Sequence, residues 1–248
     1  MGQAVLTREA NLKHEKDRTR QDSYQWRRLI ALCILALVGC SSVPPPRTLY
    51  HDQTTLIRLQ VDDRAPSVHT HPAQVGADEI AQVLRGIQVI ARKGMVWSFV
   101  AGAPQANPAF SPGEIRALAP KLSHALAQAK PEELVTFYHR VSDANLGLGI
   151  TSGGLFVQDG HLYFVLANNR TMPSEGMSEN RVHEIDPVDS PLLPISRSSF
   201  RVAFAPATAA VPSDEWHDWP YVDQGRIVVI DLLQLARDIK SPSAVSNH

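Results

Sequence analysis

The sequence predicts an α+β fold, a single domain with a mostly antiparallel sheet and two or three helices. Apolar residues at helical spacing are grouped early in the domain and again at its end, whereas strand-forming runs dominate its second half. One pair of these runs is joined by Asp159-Gly160, a dipeptide favoured in the tight turn of an antiparallel hairpin. Helices and strands that are grouped rather than alternating are typical of α+β domains.

The early part of the domain predicts a strand, a helix and a second strand. Strand-forming residues occupy positions 54–61, and apolar residues at a spacing of three and four predict a helix over residues 77–86. Residues 87–91 favour a short strand directly behind this helix, which leaves a β-α-β start open. Gly, Pro and Asn at 101–109 predict a loop.

The best-defined helix is predicted over residues 112–129. Ser111, Pro112 and Glu114 give the pattern of a capping box, with an N-cap Ser, Pro at the first helical position and Glu at the third. Apolar residues then repeat on one face as far as Ala129. Pro120 lies inside this pattern and lacks the N–H that a helix interior uses, so we expect the helix to kink or split there.

The second half of the domain predicts mostly strands. A long polar segment with Pro at 169–197 interrupts them, and its length predicts a flexible or functional loop. The remaining elements are expected to be a strand over 134–141, a hairpin of 146–157 and 162–167, strands over 200–204 and 226–231, and a closing helix over 232–239.

Charge is distributed unevenly along the chain. Residues 1–39 contain seven Lys/Arg and four Asp/Glu, which leaves 17 basic and 21 acidic residues, a net charge of -4, in residues 40–248. A mildly acidic domain has little attraction for a phosphate backbone. The sequence therefore predicts no nucleic-acid partner.

A short apolar run with a basic flank marks the N-terminal region. Arg27 and Arg28 precede ten consecutive apolar residues at 29–38, and Gly39-Cys40 follow directly. A membrane-spanning helix needs about 20 apolar residues, whereas about 10–14 suit the core of a secretory signal peptide. The pattern predicts export of the domain behind it. An uncleaved signal anchor, a buried core helix and cleavage without lipid attachment are the alternatives.

The four residues Leu37-Val38-Gly39-Cys40 resemble the lipobox of bacterial lipoproteins, in which Leu, a small or branched residue and Gly or Ala precede Cys. The resemblance implies that the Cys40 thiol carries a diacylglycerol, that a peptidase cuts between Gly39 and Cys40, and that the new amine is acylated. Ser41, rather than Asp, follows the Cys, which in this class implies the inner leaflet of the outer membrane, facing the periplasm. The resemblance covers residues 26–42 and implies nothing about the domain.

The resulting segments are a signal peptide with a long polar n-region at 1–39, a lipidated Cys and Pro-rich tether at 40–53, a globular domain at 54–240 and a disordered tail at 241–248. About 26 residues precede Arg27, more than a signal peptide normally has. The protein therefore either starts further downstream or carries a cytoplasmic extension. Because Cys33 lies within the signal peptide, we expect neither a disulfide nor a free thiol in the mature domain.

Two groups of residues are candidates for binding. His69 and His71 would lie on one side of an extended chain and suit a metal, but no third ligand is nearby, so the alternative is a pair of solvent-exposed side chains. Trp216, Trp219 and Tyr221 form the most aromatic stretch. They would either contact a partner or a glycan ring or fold a loop over the core.

No catalytic motif is present. The glycines around Ser152 lack the spacing of a nucleophile elbow and favour a bulged strand, although a triad of Ser152 with Asp159 and His161 is an alternative. No cofactor is predicted either. The sequence favours a membrane-anchored, non-catalytic binding or assembly protein of the cell envelope, whose partners are the membrane and either envelope proteins or the cell wall. The alternative is an envelope hydrolase built from distant residues such as Ser152, His139 and Asp143.

Overall fold

The computed structural model describes residues 43–65, 67–91, 105–143, 147–172, 188–195, 200–213 and 223–240. The stretch Pro45–His248 forms one compact unit. Within the described ranges, no helix combines the length and the apolar character that crossing a bilayer requires.

Three helices and nine strands are described. In chain order they are β1 (Arg47–His51), β2 (Thr55–Val61), α1 (Ala77–Gly86), β3 (Ile87–Ala91), β4 (Ala106–Pro108), α2 (Pro112–Gln128), β5 (Glu133–Asp143), β6 (Gly147–Gln158), β7 (His161–Thr171), β8 (Phe200–Phe204), β9 (Ile227–Asp231) and α3 (Leu232–Lys240). The predicted α+β fold with a mostly antiparallel sheet is confirmed.

The main sheet has six strands in the order β1-β2-β5-β6-β7-β9, and every neighbouring pair is antiparallel. A second sheet has three strands in the order β4-β3-β8. The prediction of a loop over residues 101–109 was wrong at Ala106–Pro108, which pairs with β3, whereas residues 101–104 lie outside the described residues.

Both faces of the main sheet are covered, and the alternation of β5 shows how. Val135 and Phe137 point into the large core that also contains the buried faces of α1 and α2. Leu134 and Tyr138, on the opposite face, belong to two smaller clusters that include Leu192 and Ile195. Because successive side chains of a strand point to opposite faces, strands of this kind need apolar residues at nearly every position.

The segment 188–195 covers the second face, although 169–197 was predicted to be a flexible or functional loop. Leu192 and Ile195 are buried, and the side chains of Ser152 and Asn168 hydrogen-bond the backbone of this segment. The segment is polar in composition, yet its apolar residues Leu192 and Ile195 pack against the second face of the sheet. Residues 173–187 and 196–199 lie outside the described residues.

The helix α2 has the predicted capping box. The Glu114 N–H donates to Ser111 Oγ at 3.3 Å, and the Ser111 N–H donates to Glu114 Oε2 at 2.7 Å. Of the two outcomes expected at Pro120, a kink or a split, the split is wrong, because α2 is one helix from Pro112 to Gln128. The carbonyl left without a donor is that of Arg116, and this residue is exposed, so water can satisfy it.

The hairpin of β6 and β7 turns at Asp159-Gly160 as predicted. Their φ angles are 51° and 80°, and two positive φ values define a type I′ turn. The glycines of β6 mark a bulge, also as predicted, because the register with β7 shifts on both sides of Ser152. At Gly153 a Cβ atom would lie 2.0 Å from the carbonyl oxygen of Val165.

The folded part begins earlier than the predicted boundary at residue 54. Arg47 donates to both carboxylate oxygens of Glu133, at 3.3 and 2.9 Å, and to the Gln128 carbonyl at 3.0 Å. The Tyr50 hydroxyl lies 2.6 Å from His124 Nδ1 on α2. These contacts tie β1 to the body, so the tether predicted over 40–53 ends before Arg47. The predicted signal peptide at 1–39 and tail at 241–248 lie outside the described residues.

Replacing Gly153 by Ala is expected to lower the free energy of unfolding by about 1–3 kcal/mol, because the added methyl group overpacks the sheet against β7. Urea unfolding measures this change. The control is Gly113→Ala in the first turn of α2, where the nearest atom to a Cβ is 3.9 Å away. It should leave stability unchanged or raise it slightly, since Ala is favoured over Gly in helices. Equal effects of the two substitutions would contradict the packing argument.

Candidate functional site

A groove of about 730 Å³ lies between α1 and α2. Small or apolar residues form most of its lining, and three of the lining residues are charged. Its lining consists of Ala77, Asp78, Ala81, Arg85, Pro108, Phe110, Pro112, Ile115, Arg116, Ala119 and Pro120.

The helical period determines which residues reach the groove. Ile80, Val83 and Leu84 of α1 are fully buried against the core. The positions left for the outer side of α1 include Ala77, Ala81 and Arg85, which are four residues apart and therefore lie in one row. Because two of the three are alanines, the helix leaves open space beside its partner.

The two helices run antiparallel, and this determines which of their ends lie side by side along the groove. Ser123 Oγ, in the second half of α2, donates to the Val75 carbonyl just before α1 at 2.6 Å. The Ala109 N–H, just before α2, donates to the Ile87 carbonyl just after α1 at 3.0 Å. The end of α1 therefore lies beside the start of α2.

Three charged residues line the groove at different levels. Arg85 is in the last turn of α1, level with the start of α2, and Asp78 is in the first turn of α1 at the opposite end. Arg116 is one turn further along α2 than Pro112 and lies level with Ala81, near the middle of the groove. Arg85 donates to Gln82 of its own helix. Arg116 makes no hydrogen bond or ion pair with any residue that the structure describes. Neither Arg85 nor Arg116 is therefore paired with a carboxylate of the described residues.

A second polar cluster lies beneath the start of α2. Arg170 donates to Glu114 Oε2 at 2.8 Å, and the other oxygen of Glu114, Oε1, is buried without a hydrogen-bond partner in the described structure. His139 Nδ1 lies 3.0 Å from Thr55 Oγ1, and burial lowers the pKa of this histidine while the charges of Glu114 and Asp52 act in the opposite direction. The members of the cluster come from β2, β5, β7 and α2, and the contacts of the buried Glu114 and His139 join these elements.

His69 and His71 do not form the metal site considered from the sequence, nor are they solvent-exposed. Both side chains are buried. His71 Nε2 accepts the Val157 N–H at 3.0 Å and Nδ1 donates to the Glu133 carbonyl at 2.8 Å, so both ring nitrogens are used. His69 Nε2 lies 3.1 Å from Asp62 Oδ2. Within the described ranges, no three His, Cys, Asp or Glu side chains are grouped as metal ligands.

The serine-based alternatives are not assembled by the fold. Ser152 is fully buried, donates to the Pro191 carbonyl at 2.7 Å and accepts from Asn168 at 2.9 Å. It pairs with Tyr138, whereas His139 is the next residue on β5 and therefore points to the opposite face of the sheet. His161 lies at the hairpin turn opposite Gln158, about 20 Å along the strand from Ser152.

Several predicted site residues lie outside the described residues. They are the lipidation and cleavage positions Gly39 and Cys40, the aromatic residues Trp216, Trp219 and Tyr221, and the side chain of Asp143. The roles expected for these residues stay predictions.

The sequence did not single out Arg85 and Arg116. Each is one more charged residue on the outer face of an amphipathic helix, and such residues are usually just solvated. The only local signal is the row of small residues that precedes Arg85 on α1. The groove itself depends on the antiparallel packing of two helices that are 25 residues apart in the chain.

Comparison with known proteins adds no assignment: no family model matches this chain, no curated protein matches it, and no solved structure matches it.

The buried His71 makes stability depend on pH. Burial, followed by the charge of His69, lowers its pKa from 6.5 to about 4. In the unfolded chain the ring takes up a proton below about pH 6.5, whereas in the folded protein it stays neutral until about pH 4. The contribution of His71 to the free energy of unfolding is therefore fully present above pH 6.5. As the pH drops to 4, the free energy of unfolding is expected to fall by about 3 kcal/mol.

Urea unfolding at pH 7.5 and pH 5 tests this dependence in the wild type and in His71→Asn. The variant should lose part of the pH dependence, and at pH 7.5 it should also be less stable by about 1–3 kcal/mol, because two backbone groups lose their partner. His51→Asn, at an exposed position of β1, is the control and should behave like the wild type. An unchanged pH dependence in His71→Asn would contradict the prediction.

Proposed function

We propose that this protein is a lipid-anchored binding protein of the cell envelope. A diacylglycerol on Cys40 would hold it at the inner leaflet of the outer membrane, with the folded body in the periplasm. The groove between α1 and α2 is the observation that supports binding as its role, because concave, mainly apolar surfaces with a few polar groups are the usual form of ligand sites.

The engagement of the buried polar groups supports a binding role over the hydrolase alternative. The hydroxyl of Ser152 and both nitrogens of His71 are committed to hydrogen bonds that hold the sheet and its flanking segments together. A nucleophile must instead be free to reach a substrate and a neighbouring base. In this proposal Ser152 and His71 stabilise the fold and take no part in chemistry.

The length of the tether supports a position close to the membrane. Seven residues lead from Cys40 to Arg47, where the chain becomes fixed to α2 and β5, and they span at most about 25 Å. Three of these residues are prolines, which favour an extended and semi-rigid chain. The proposed anchor would keep the body close to the lipid head groups.

The tether and the groove belong to opposite ends of α2. Arg47 contacts the Gln128 carbonyl at the C-terminal end of this helix, whereas the groove is lined by its residues 112–120. Twelve helical residues separate Gln128 from Arg116, a distance of about 18 Å. In the proposed orientation the near end of the groove, at Pro120, lies about 12 Å along α2 from the tether's attachment point at Gln128.

Labelling with a palmitate analogue tests the anchor. The wild type is expected to incorporate the label and to sediment with membranes, whereas Cys40→Ser is expected to lose both properties. Cys33→Ser is the matched control, because it removes the other cysteine of the chain and should label like the wild type. Label that persists in Cys40→Ser, or an intact N-terminus found by mass spectrometry of the native protein, would reject the anchor.

A further inference from the structure

We propose that residues 67–75, part of the connection between β2 and α1, form a strap that leaves the body of the domain when the ring of His71 takes up a proton. Release means a local opening, during which the sheet and the helices stay folded. The proposal goes beyond the binding role, and it depends neither on a ligand of the groove nor on the lipid at Cys40.

The ring of His71 bridges β5 and β6 where their hydrogen-bond ladder ends. The register of the two strands runs as far as Val135 opposite Leu155, and two further steps would place Glu133 opposite Val157. The ring joins these last two residues, because the Val157 N–H donates to Nε2 at 3.0 Å and Nδ1 donates to the Glu133 carbonyl at 2.8 Å. A backbone N–H can only donate, so the proton of the neutral ring must be on Nδ1.

Protonation of His71 breaks this bridge. The imidazolium carries a proton on both nitrogens, so Nε2–H and the Val157 N–H would face each other as two donors without an acceptor. In a buried position this loses the hydrogen bond and leaves both donors unsatisfied. Burial, followed by the charge of His69, accordingly lowers the pKa of His71, whereas the backbone of Glu133 and Lys130 acts in the opposite direction.

The charged groups around His71 give its protonated form little support. They come from the chain before the strap and the strap itself, from β5 with its preceding turn and its partner on β1, and from the β6–β7 hairpin, and they are Asp62, His69, Lys130, Glu133, Arg47 and Asp159. The two buried carboxylates among them already have other partners. Arg47 donates to Glu133 at 2.9 Å, and His69 Nε2 lies 3.1 Å from Asp62 Oδ2.

The strap buries little apolar surface, which allows it to open by itself. Its buried side chains are those of Ala73 and Val75, which are small, and those of His69 and His71. His69 Nδ1 is buried without a hydrogen-bond partner in the described structure, and water would satisfy it after opening. Water would also replace the backbone bonds from the strap to the carbonyls of Pro131, Val157 and Leu126. Segments with few buried apolar contacts are the ones that open without global unfolding.

The strap leads directly into α1, so its release affects one wall of the groove. The Val75 carbonyl accepts from Ser123 Oγ of α2 at 2.6 Å, and opening of the strap removes this bond. The other end of α1 keeps its tie, because the Ile87 carbonyl accepts the Ala109 N–H at 3.0 Å. Acid pH would therefore loosen α1 at its start, beside Asp78, and leave its end in place.

Hydrogen exchange of the full-length protein in dodecyl maltoside, followed by mass spectrometry at pH 7.5 and pH 5, tests the strap. Labelling times are scaled to the intrinsic exchange rate at each pH. With a pKa of 6.5 in the open strap and about 4 in the closed one, the opening constant is expected to rise about 30-fold between these pH values. Peptides that cover the strap and Val157 should show this increase, and strap exchange that is equal at the two pH values would overturn the proposal.

Urea separates local opening from global unfolding. At pH 5, about 1 M urea should leave exchange of the strap unchanged, because little surface is exposed when it opens. The buried residues 164–167 of β7 should exchange more slowly than the strap, and urea should accelerate them. A strap that exchanges at the same rate as β7, with the same response to urea, would mean that the domain opens only as a whole and would reject the strap.

Substitution of His71 assigns the proton. In His71→Gln the amide oxygen can accept the Val157 N–H in place of Nε2, yet the side chain does not titrate. The variant is expected to keep less than a threefold change in strap exchange between pH 7.5 and pH 5. His51→Gln, at an exposed position of β1, is the matched control and should keep the full change. A full change in His71→Gln would assign the opening to another group, and the urea comparison in the wild type does not require that the variant folds.

Discussion

The fold depends on covering both faces of the strands β5, β6 and β7. The helices α1 and α2 cover one face, and the segment 188–195 covers the other. Asn168 illustrates what this requires of a buried polar side chain: its amide donates to Ser152 and to the Leu193 carbonyl, and its oxygen accepts the Ile195 N–H. Each such group left unpaired would cost about 1–3 kcal/mol, so the polar residues of the sheet are used to hold its cover in place.

The same two-sided burial explains which parts of the structure the sequence could predict. Helix α1, strand β3 and the turn at Asp159-Gly160 depend on local spacing and backbone preference, and they occur where expected. The fastening of the strand at Arg47–His51 to the body and the packing of 188–195 depend instead on side-chain contacts with partners that are 25 to 86 residues away. No local pattern marks such contacts, and Pro-rich or polar surroundings indicated loop at both places.

The candidate site was less predictable than the fold for a related reason. The spacing of His69 and His71 suggested a pair of metal ligands. In the structure both ring nitrogens of His71 instead hydrogen-bond the backbones of β5 and β6. Arg85 and Arg116 are ordinary in sequence and stand out only because two antiparallel helices bring both of them to the lining of one groove. Residue type alone therefore suggests a ligand site at the buried pair of histidines and gives no sign of the groove lined by the two exposed arginines.

The fastening of β1 has a mechanical consequence. The turn to β2 lies after His51, so Arg47 is at the open end of the β1–β2 pair, opposite Leu59. Force applied to the chain ahead of Arg47 would peel the strand off one residue pair at a time, which is the weakest way to load a ladder of hydrogen bonds. The forked bonds from Arg47 to Glu133 and its bond to the end of α2 stand at the first pair and must break before peeling begins. These bonds would transmit the applied force from Arg47 to β5 and α2 before it reaches the hydrogen bonds between β1 and β2.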